Sequence, residues 1–251
     1  MNTSSSNPRP LSGKICLVTG GTRGIGRAIA KMLLQEGALV AICGRTEDAV
    51  VQTVAALGAE NPGKVKGKAA DVRKHEQVGE LFRYIDAEFG GLDVLVNNAG
   101  VGVFRPVSQL SVEDWQLTIE TNLSGVFHCC HEALSRFRTR GGGQIVNISS
   151  LAGKNAFAGG AAYNASKFAL TGFSEALMLD ERNQNVRVSY IMPGSVATDF
   201  SRSSGASAGS NVDNSWKIAP EDIAEVVRIT LTMPERTLIS RVEVRPSKPK
   251  R

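Results

Sequence analysis

No stretch of about 18 consecutive apolar residues occurs in the chain, so no membrane-spanning helix is expected. The opening segment MNTSSSNPRP lacks the charged-then-apolar pattern of a secretory signal and reads as a short arm, residues 1–10, ahead of the fold. Cysteine is sparse. Cys16, Cys43, Cys129 and Cys130 form no CxxC pair, and the first two sit in apolar, strand-like runs. A disulfide framework and a thiol–zinc site are therefore not expected, and reduced thiols in a cytoplasmic protein are. The three histidines stand apart in the sequence, so no metal site is expected either. No basic run is interleaved with aromatic residues, which argues against a nucleic-acid partner. Internal repeats and Pro-rich linkers are missing, so residues 11–251 are expected to form one domain.

What is present is an ordinary globular composition, 42% hydrophobic and 21% charged, with enough apolar material for a sizeable core. The net charge of +5 and pI near 9.1 read as a solvated surface with a basic tail, PSKPKR, although attraction to an anionic ligand is the other use of such charge. Short β-rich runs alternate with helical periodicity along the chain: KICLVT, then IGRAIAKMLLQEG; ALVAIC, then TEDAVVQTVAALGAE with Thr46 as N-cap; a weaker KVKGKAAD, then a helix over 74–89. LDVLVNN, QIVNIS, VRVSYIM and TLISRVEV supply four more strands. Long helices are expected at about 111–138 and 160–182, with another over APEDIAEVVRITLTM. Such alternation predicts an α/β fold, a doubly wound parallel sheet with helices on both faces. Ligands bind such sheets beyond the strand carboxyl ends, where the strand order reverses.

Polar, chemically able residues cluster at those ends. TGGTRGIG, residues 19–26, joins the first strand to the first helix. Gly20, Gly24 and Gly26 let the backbone turn tightly and approach a pyrophosphate, while Thr22, Arg23 and Ile25 complete the turn and the helix start presents free N–H groups. The second strand ends CGRT, with no carboxylate for a ribose 2′-hydroxyl; Arg23 and Arg45 are there instead. Paired guanidinium hydrogen bonds suit a 2′-phosphate, so NADP(H) is expected rather than NAD(H).

TGGTRGIG, NNAG at 97–100, Ser150, YNASK at 163–167 and PG at 193–194 occur in the order found in short-chain dehydrogenases/reductases, which the chain resembles over about residues 11–245. The resemblance implies a Rossmann fold with seven parallel strands, NAD(P)-dependent interconversion of carbonyls and alcohols, and a homotetramer or homodimer packed through the two long helices. It implies a catalytic group of Asn122, Ser150, Tyr163 and Lys167. It further implies cofactor contacts at Asp71, Val72, Asn98, Ala99, Gly100, Tyr163, Lys167, Pro193, Gly194, Val196 and Thr198, with Lys167 also on the nicotinamide ribose and Asn122 holding a water beside Lys167.

The chemistry of these residues can be read independently. Tyr163 and Lys167 are four apart on a helix and share a face. A nearby ammonium is expected to bring the phenol's pKa, ordinarily about 10, toward working pH, so that Tyr163 can pass a proton to or from a substrate oxygen. Ser150 would hydrogen-bond that oxygen; the family's serine-to-tyrosine spacing selects it over Ser149, which could be a strand-end residue satisfying backbone groups. Asn122 is a poor helix-interior residue that could break its helix. Asn97 is expected to tie neighbouring strands. Asp71 has two readings, an adenine contact or an N-cap for the helix near Lys74.

Residues 194–217 are rich in Ser, Gly and Asn and are expected to form the substrate loop, with Phe200 and Trp216 as an apolar wall or as core. Many relatives reduce 3-oxoacyl groups on acyl carrier protein, and Arg136, Arg138 and Arg140 could dock an acidic carrier or simply suit a helix C-terminus. The ending LISRVEVRPSKPKR looks more like the branch acting on small 3-hydroxy acids and assorted ketones, so a general ketone or 3-hydroxy acid oxidoreductase is the preferred reading, with 3-oxoacyl reductase as the alternative. A non-catalytic NADPH-binding sensor is the alternative of another class.

Overall fold

The computed structural model describes residues 9–200 and 213–249. Seven strands run parallel in one sheet: β1 (Ile15–Thr19), β2 (Leu39–Gly44), β3 (Val65–Ala69), β4 (Val94–Asn97), β5 (Gly143–Ile148), β6 (Val186–Pro193) and β7 (Arg241–Val244). Their order is β3-β2-β1-β4-β5-β6-β7. The chain winds outward from β1 to β3, returns to β4 beside β1, and winds the other way. Strand order thus reverses between β1 and β4, which opens a crevice beyond their carboxyl ends.

Six helices cover the two faces: α1 (Gly24–Gln35), α2 (Glu47–Gly58), α3 (His75–Phe89), α5 (Gly125–Arg140), α6 (Ala161–Glu181) and α7 (Pro220–Thr232), while the shorter α4 (Val112–Ile119) packs against α6. One core lies between the sheet and α3, α5 and α6, around Leu81, Phe82, Ile85, Phe137 and Leu170. The other lies between the sheet and α1, α2 and α7, around Ile29, Leu33, Leu57, Val227 and Leu231. Strands β1 and β4 are buried along their whole length because both faces are covered, which is why they read as continuous apolar runs. No helix among the described residues is long and apolar enough to cross a membrane.

Two expectations about helices change. The single helix expected at about 111–138 is three pieces: α4, a π-helical turn over Glu120–Ser124, and α5. Thr46 occupies the N-cap of α2, but its side chain caps nothing; its hydroxyl makes no bond to the first turn. The four cysteines are free and buried, and burial pushes the Cys43 thiol up to about 11 and Cys130 up to about 12, so neither is reactive at neutral pH.

Candidate active site

The crevice begins at the glycine turn. Gly20 and Gly24 have φ of 63° and 53°, a left-handed backbone that a side chain would strain. A Cβ on Gly20 would lie 2.9 Å from the Ala99 Cα, and one on Gly26 would collide with the Gly20 carbonyl and the Asn98 amide. The β1 turn, the β4 turn and α1 therefore pack backbone on backbone. Thr19 and Asn98 lock them: the Thr19 hydroxyl accepts the N–H groups of Asn98 and Ala99, both at 3.0 Å, and the Asn98 amide donates to the carbonyls of Thr19 (2.9 Å) and Gly20 (3.1 Å). Arg23 sits at the N-cap of α1 with no side-chain cap, which leaves first-turn N–H groups and the positive end of the helix facing the crevice. A diphosphate is what such a cradle fits.

Arg23 and Arg45 are both exposed at the outer end of this cradle. Asp71, after β3, does not cap α3. Lys74 is at the N-cap, and the Asp71 carboxylate accepts from the Arg73 Nε at 3.0 and 2.9 Å. That guanidinium, with Arg45 contributing, holds the carboxyl below its ordinary value. Val72 is buried beneath it. After β6, Thr198 faces the glycine turn, its Cγ2 lying 3.2 Å from where a Gly24 Cβ would be. Val196 pairs with Ile218 in an isolated bridge, Pro193 ends β6, and the Gly194 N–H donates to Val244 at 2.8 Å, so this segment is fixed to the sheet. Residues 201–212 of the expected substrate loop lie outside the described residues.

The four residues expected to be catalytic do converge on the end of β5. Lys167 is 5% exposed, and its Nζ donates to the Ile148 carbonyl at 3.0 Å and lies 5.8 Å from the centre of the Tyr163 ring. The Ser150 hydroxyl is a hydrogen-bond partner of Tyr163 and accepts the Ala152 N–H at 3.1 Å. Asn122 is fully buried in the π-helical turn. Its Oδ1 accepts the Val101 N–H at 2.8 Å, and its Nδ2 donates to the Val101 carbonyl at 2.8 Å and the Ser166 hydroxyl at 3.0 Å. Gly100 brings the groups together: a Cβ there would be 3.3 Å from the Asn122 Oδ1 and 4.0 Å from the Lys167 Nζ.

The electrostatics differ from the expectation. Burial raises the Tyr163 phenol above its ordinary value, with the Ser150 hydrogen bond opposing, and no cation figures among the influences. Burial also pushes Lys167 down, to about 8, and its Nζ donates to the Ile148 carbonyl rather than to the phenol. In this state the phenol keeps its proton at neutral pH.

Other expectations divide. Asn97 does tie strands, donating to the Asn147 Oδ1 at 2.9 Å across β4 and β5. Ser149 satisfies no backbone group through its side chain; the hydroxyl is buried without a partner among the described residues. Phe200 joins the Tyr163 ring rather than the core, at 5.8 Å between centroids, whereas Trp216 is half-buried beneath the Lys217 ammonium. Arg136 is paired with Asp86 and Glu132, Arg138 with Glu181 and Arg140 with Asp93, so the idea of a cationic dock for a carrier protein loses its unpaired charges. The histidines are not isolated in space: His75 lies 5.3 Å from His128 and 6.1 Å from His131, ring to ring. Ligand-type atoms of His75, His131 and Glu132 come within 4.8 Å of one another, because α3 and α5 bring together residues far apart in sequence.

Sequence reasoning missed Phe104 and Phe157. Phe104 meets Tyr163 edge-on at 5.4 Å and 80°, and Phe157 lies 5.7 Å from Phe104. Neither falls in a motif, and only their position just after β4 and β5 could have marked them.

Comparison with known proteins agrees with this geometry. A family model described as short chain dehydrogenase matches residues 14–209. An uncharacterized oxidoreductase of Staphylococcus aureus (strain MRSA252) is 33% identical over 236 residues, covering 94% of this chain and 98% of that protein. A 3beta-hydroxysteroid dehydrogenase of Mediterraneibacter gnavus is 41% identical over 194 residues, 77% of this chain and 70% of that one. Among solved structures, an alcohol dehydrogenase from the archaeon Thermococcus sibiricus complexed with 5-hydroxy-NADP superposes with a TM-score of 0.85 at 30% identity, covering 95% of this chain and 99% of that one. A serine dehydrogenase complexed with NADP+ gives 0.84 at 33% identity, covering 92% and 94%.

Proposed function

The chain belongs to the short-chain dehydrogenase family, and from that premise we propose that it interconverts a ketone and a secondary alcohol with NADP(H), Tyr163 being the group that gives and takes the proton. The observation that carries this reading is the convergence of Asn122, Ser150, Tyr163 and Lys167 beside a crevice whose backbone admits a diphosphate. Bound NADP(H) would supply or accept the hydride. Gly20, Thr22, Arg23, Gly24, Ile25 and Gly26 would hold the diphosphate, Arg23 and Arg45 the 2′-phosphate, and Asp71 and Val72 the adenine. Ala99, Gly100, Tyr163 and Lys167 would meet the nicotinamide ribose, and Pro193, Gly194, Val196 and Thr198 the carboxamide. Asn98 contributes by pinning the glycine turn, since its amide is committed to Thr19 and Gly20. The NADP forms bound to the two structural relatives support this cofactor.

In the direction of reduction, the protonated Tyr163 donates to the carbonyl oxygen and the Ser150 hydroxyl stabilises the charge growing there. In oxidation Tyr163 removes the hydroxyl proton. The protonated phenol is the form that donates in reduction, whereas oxidation needs the phenolate, which burial disfavours in the chain without bound cofactor. The C-terminal segment supports a small keto or 3-hydroxy acid as substrate, while the 41% identity to a hydroxysteroid dehydrogenase supports a larger alcohol. We further propose a cytoplasmic protein, which the buried free thiols support, and a homodimer or homotetramer through α5 and α6, which the exposed Phe127, Phe168 and Leu179 support.

Replacing Tyr163 by Phe tests the proposal. Turnover of any carbonyl the wild type reduces should fall roughly a hundred- to ten-thousandfold, with NADPH affinity, read by fluorescence titration, near that of the wild type. A biological activity untouched by Tyr163→Phe would favour a cofactor sensor instead.

A further inference from the structure

We infer that the substrate is an uncharged, ring-bearing carbonyl compound, an aryl or fused-ring ketone or the matching alcohol, rather than a keto acid or hydroxy acid. This rests on the assignment of Tyr163 as the acid–base group. Phenylalanines from two separate loops close on that residue, and one from a third loop packs against the first of them. Phe104 follows β4, Phe157 follows β5 and Phe200 follows β6; Phe104 and Phe200 lie 5.4 and 5.8 Å from the Tyr163 ring, and Phe157 lies 5.7 Å from Phe104.

The rings are seated, not loosely gathered. Phe104 and Phe200 both rest on Gly102, where a Cβ would come within 2.8 Å of each. Phe157 rests on Gly160, where a Cβ would be 2.6 Å from the ring. The Phe157 loop is fastened to α6 by Asn164, the neighbour of Tyr163, whose amide donates to the carbonyls of Ala152 (2.8 Å) and Asn155 (3.2 Å). Yet Phe157 is 47% exposed, a large apolar side chain open to solvent beside Phe104. An apolar ligand would cover it. Aromatic walls of this kind offer dispersion and ring-edge contacts to another ring, and they offer a carboxylate nothing to replace its hydration. Among the described residues of the loops after β4 and β5, Arg105 lies 3.6 Å from Asp114 and Lys154 lies 2.7 Å from Glu243. Lys167 faces a carbonyl.

The test uses the purified full chain with NADPH and two compounds that share one aryl ketone, ethyl benzoylacetate with an ester and benzoylacetate with a carboxylate, together with tetralone and butanone. The ester should exceed the acid in kcat/KM by about tenfold or more, by analogy with the discrimination that pockets achieve against a mismatched group. Phe157→Ala, at a half-exposed position, should raise KM for tetralone about tenfold while leaving butanone little changed, and Phe157→Lys should narrow the gap between ester and acid. Equal or better use of the acid, or tetralone kinetics indifferent to both Phe157 variants, would overturn the inference and leave the Tyr163 chemistry standing. If NADPH binds but none of the four carbonyls is reduced, the inference falls, while the acid–base reading is judged separately by Tyr163→Phe on a carbonyl that the wild type does reduce.

Discussion

Lys167 carries the clearest electrostatic signature in the molecule. Burial lowers its pKa from 10.5 to about 8, and its Nζ donates to the Ile148 carbonyl at 3.0 Å. The unfolded chain keeps this proton up to about pH 10.5, whereas the folded chain releases it near 8, so the unfolded state binds more protons in between. Stability owed to this group is therefore absent below pH 8 and grows as pH rises through that window. Compared with Lys167→Met in urea unfolding, the wild type should gain roughly 3 kcal/mol between pH 8 and 10.5, at about 1.4 kcal/mol per pKa unit. A difference that stays flat with pH would show the ammonium to be better solvated than its surroundings indicate. The Tyr163–Lys167 spacing was legible because two residues four apart on a helix must share a face. The direction of the shifts was not, because desolvation depends on what the rest of the chain packs around the pair.

At the scale of an element, the π-helical turn over Glu120–Ser124 makes the site possible. An uninterrupted helix would carry Asn122 past the strand ends; the wider turn lets its side chain enter the core and pair with both polar groups of Val101. The misfit of an asparagine within a helical run was a readable sign of disruption. Its kind was not, since the third partner, Ser166, comes from a different helix 44 residues on. Asn122→Ala should cost about 1–3 kcal/mol in denaturant unfolding, because it strands the half-buried Val101 N–H and carbonyl, and should lower kcat by loosening Val101 and Ser166. A loss well under 1 kcal/mol would mean that these groups find other partners.

On the whole molecule, the reversal of strand order between β1 and β4 sets the binding crevice, and any ligand there joins the two halves of the sheet. NADPH at about 100 times its Kd should stabilise the fold by roughly 2.7 kcal/mol. That corresponds to a rise in Tm of about 5–10 °C for a chain of this size. NADH should give a smaller rise, and Arg45→Asp should shrink the NADPH response toward it; equal shifts by both cofactors would end the case for a 2′-phosphate site. The exposed Phe127 on α5 and Phe168 and Leu179 on α6, at 50%, 46% and 53% exposure, form the face on which a second copy is expected. Sedimentation should find a dimer or tetramer that Phe168→Glu weakens, and a wild-type monomer at micromolar concentration would rule that face out.

Alternating periodicity, glycine spacing and the Tyr–Lys step are local properties of the chain, and from the first of them the parallel sheet could be read without coordinates; the grouping of Asn122 and Ser150 with Tyr163 and Lys167 rested on a family resemblance. Contacts between residues distant in sequence are another matter. The gathering of Phe104 and Phe200 on Tyr163 with Phe157 against Phe104, the meeting of the three histidines and the pairing of Arg136, Arg138 and Arg140 all depend on which loops and helices become neighbours. Tertiary structure alone decided these, because burial and charge pairing are set by everything that packs around a group and not by its place in the chain.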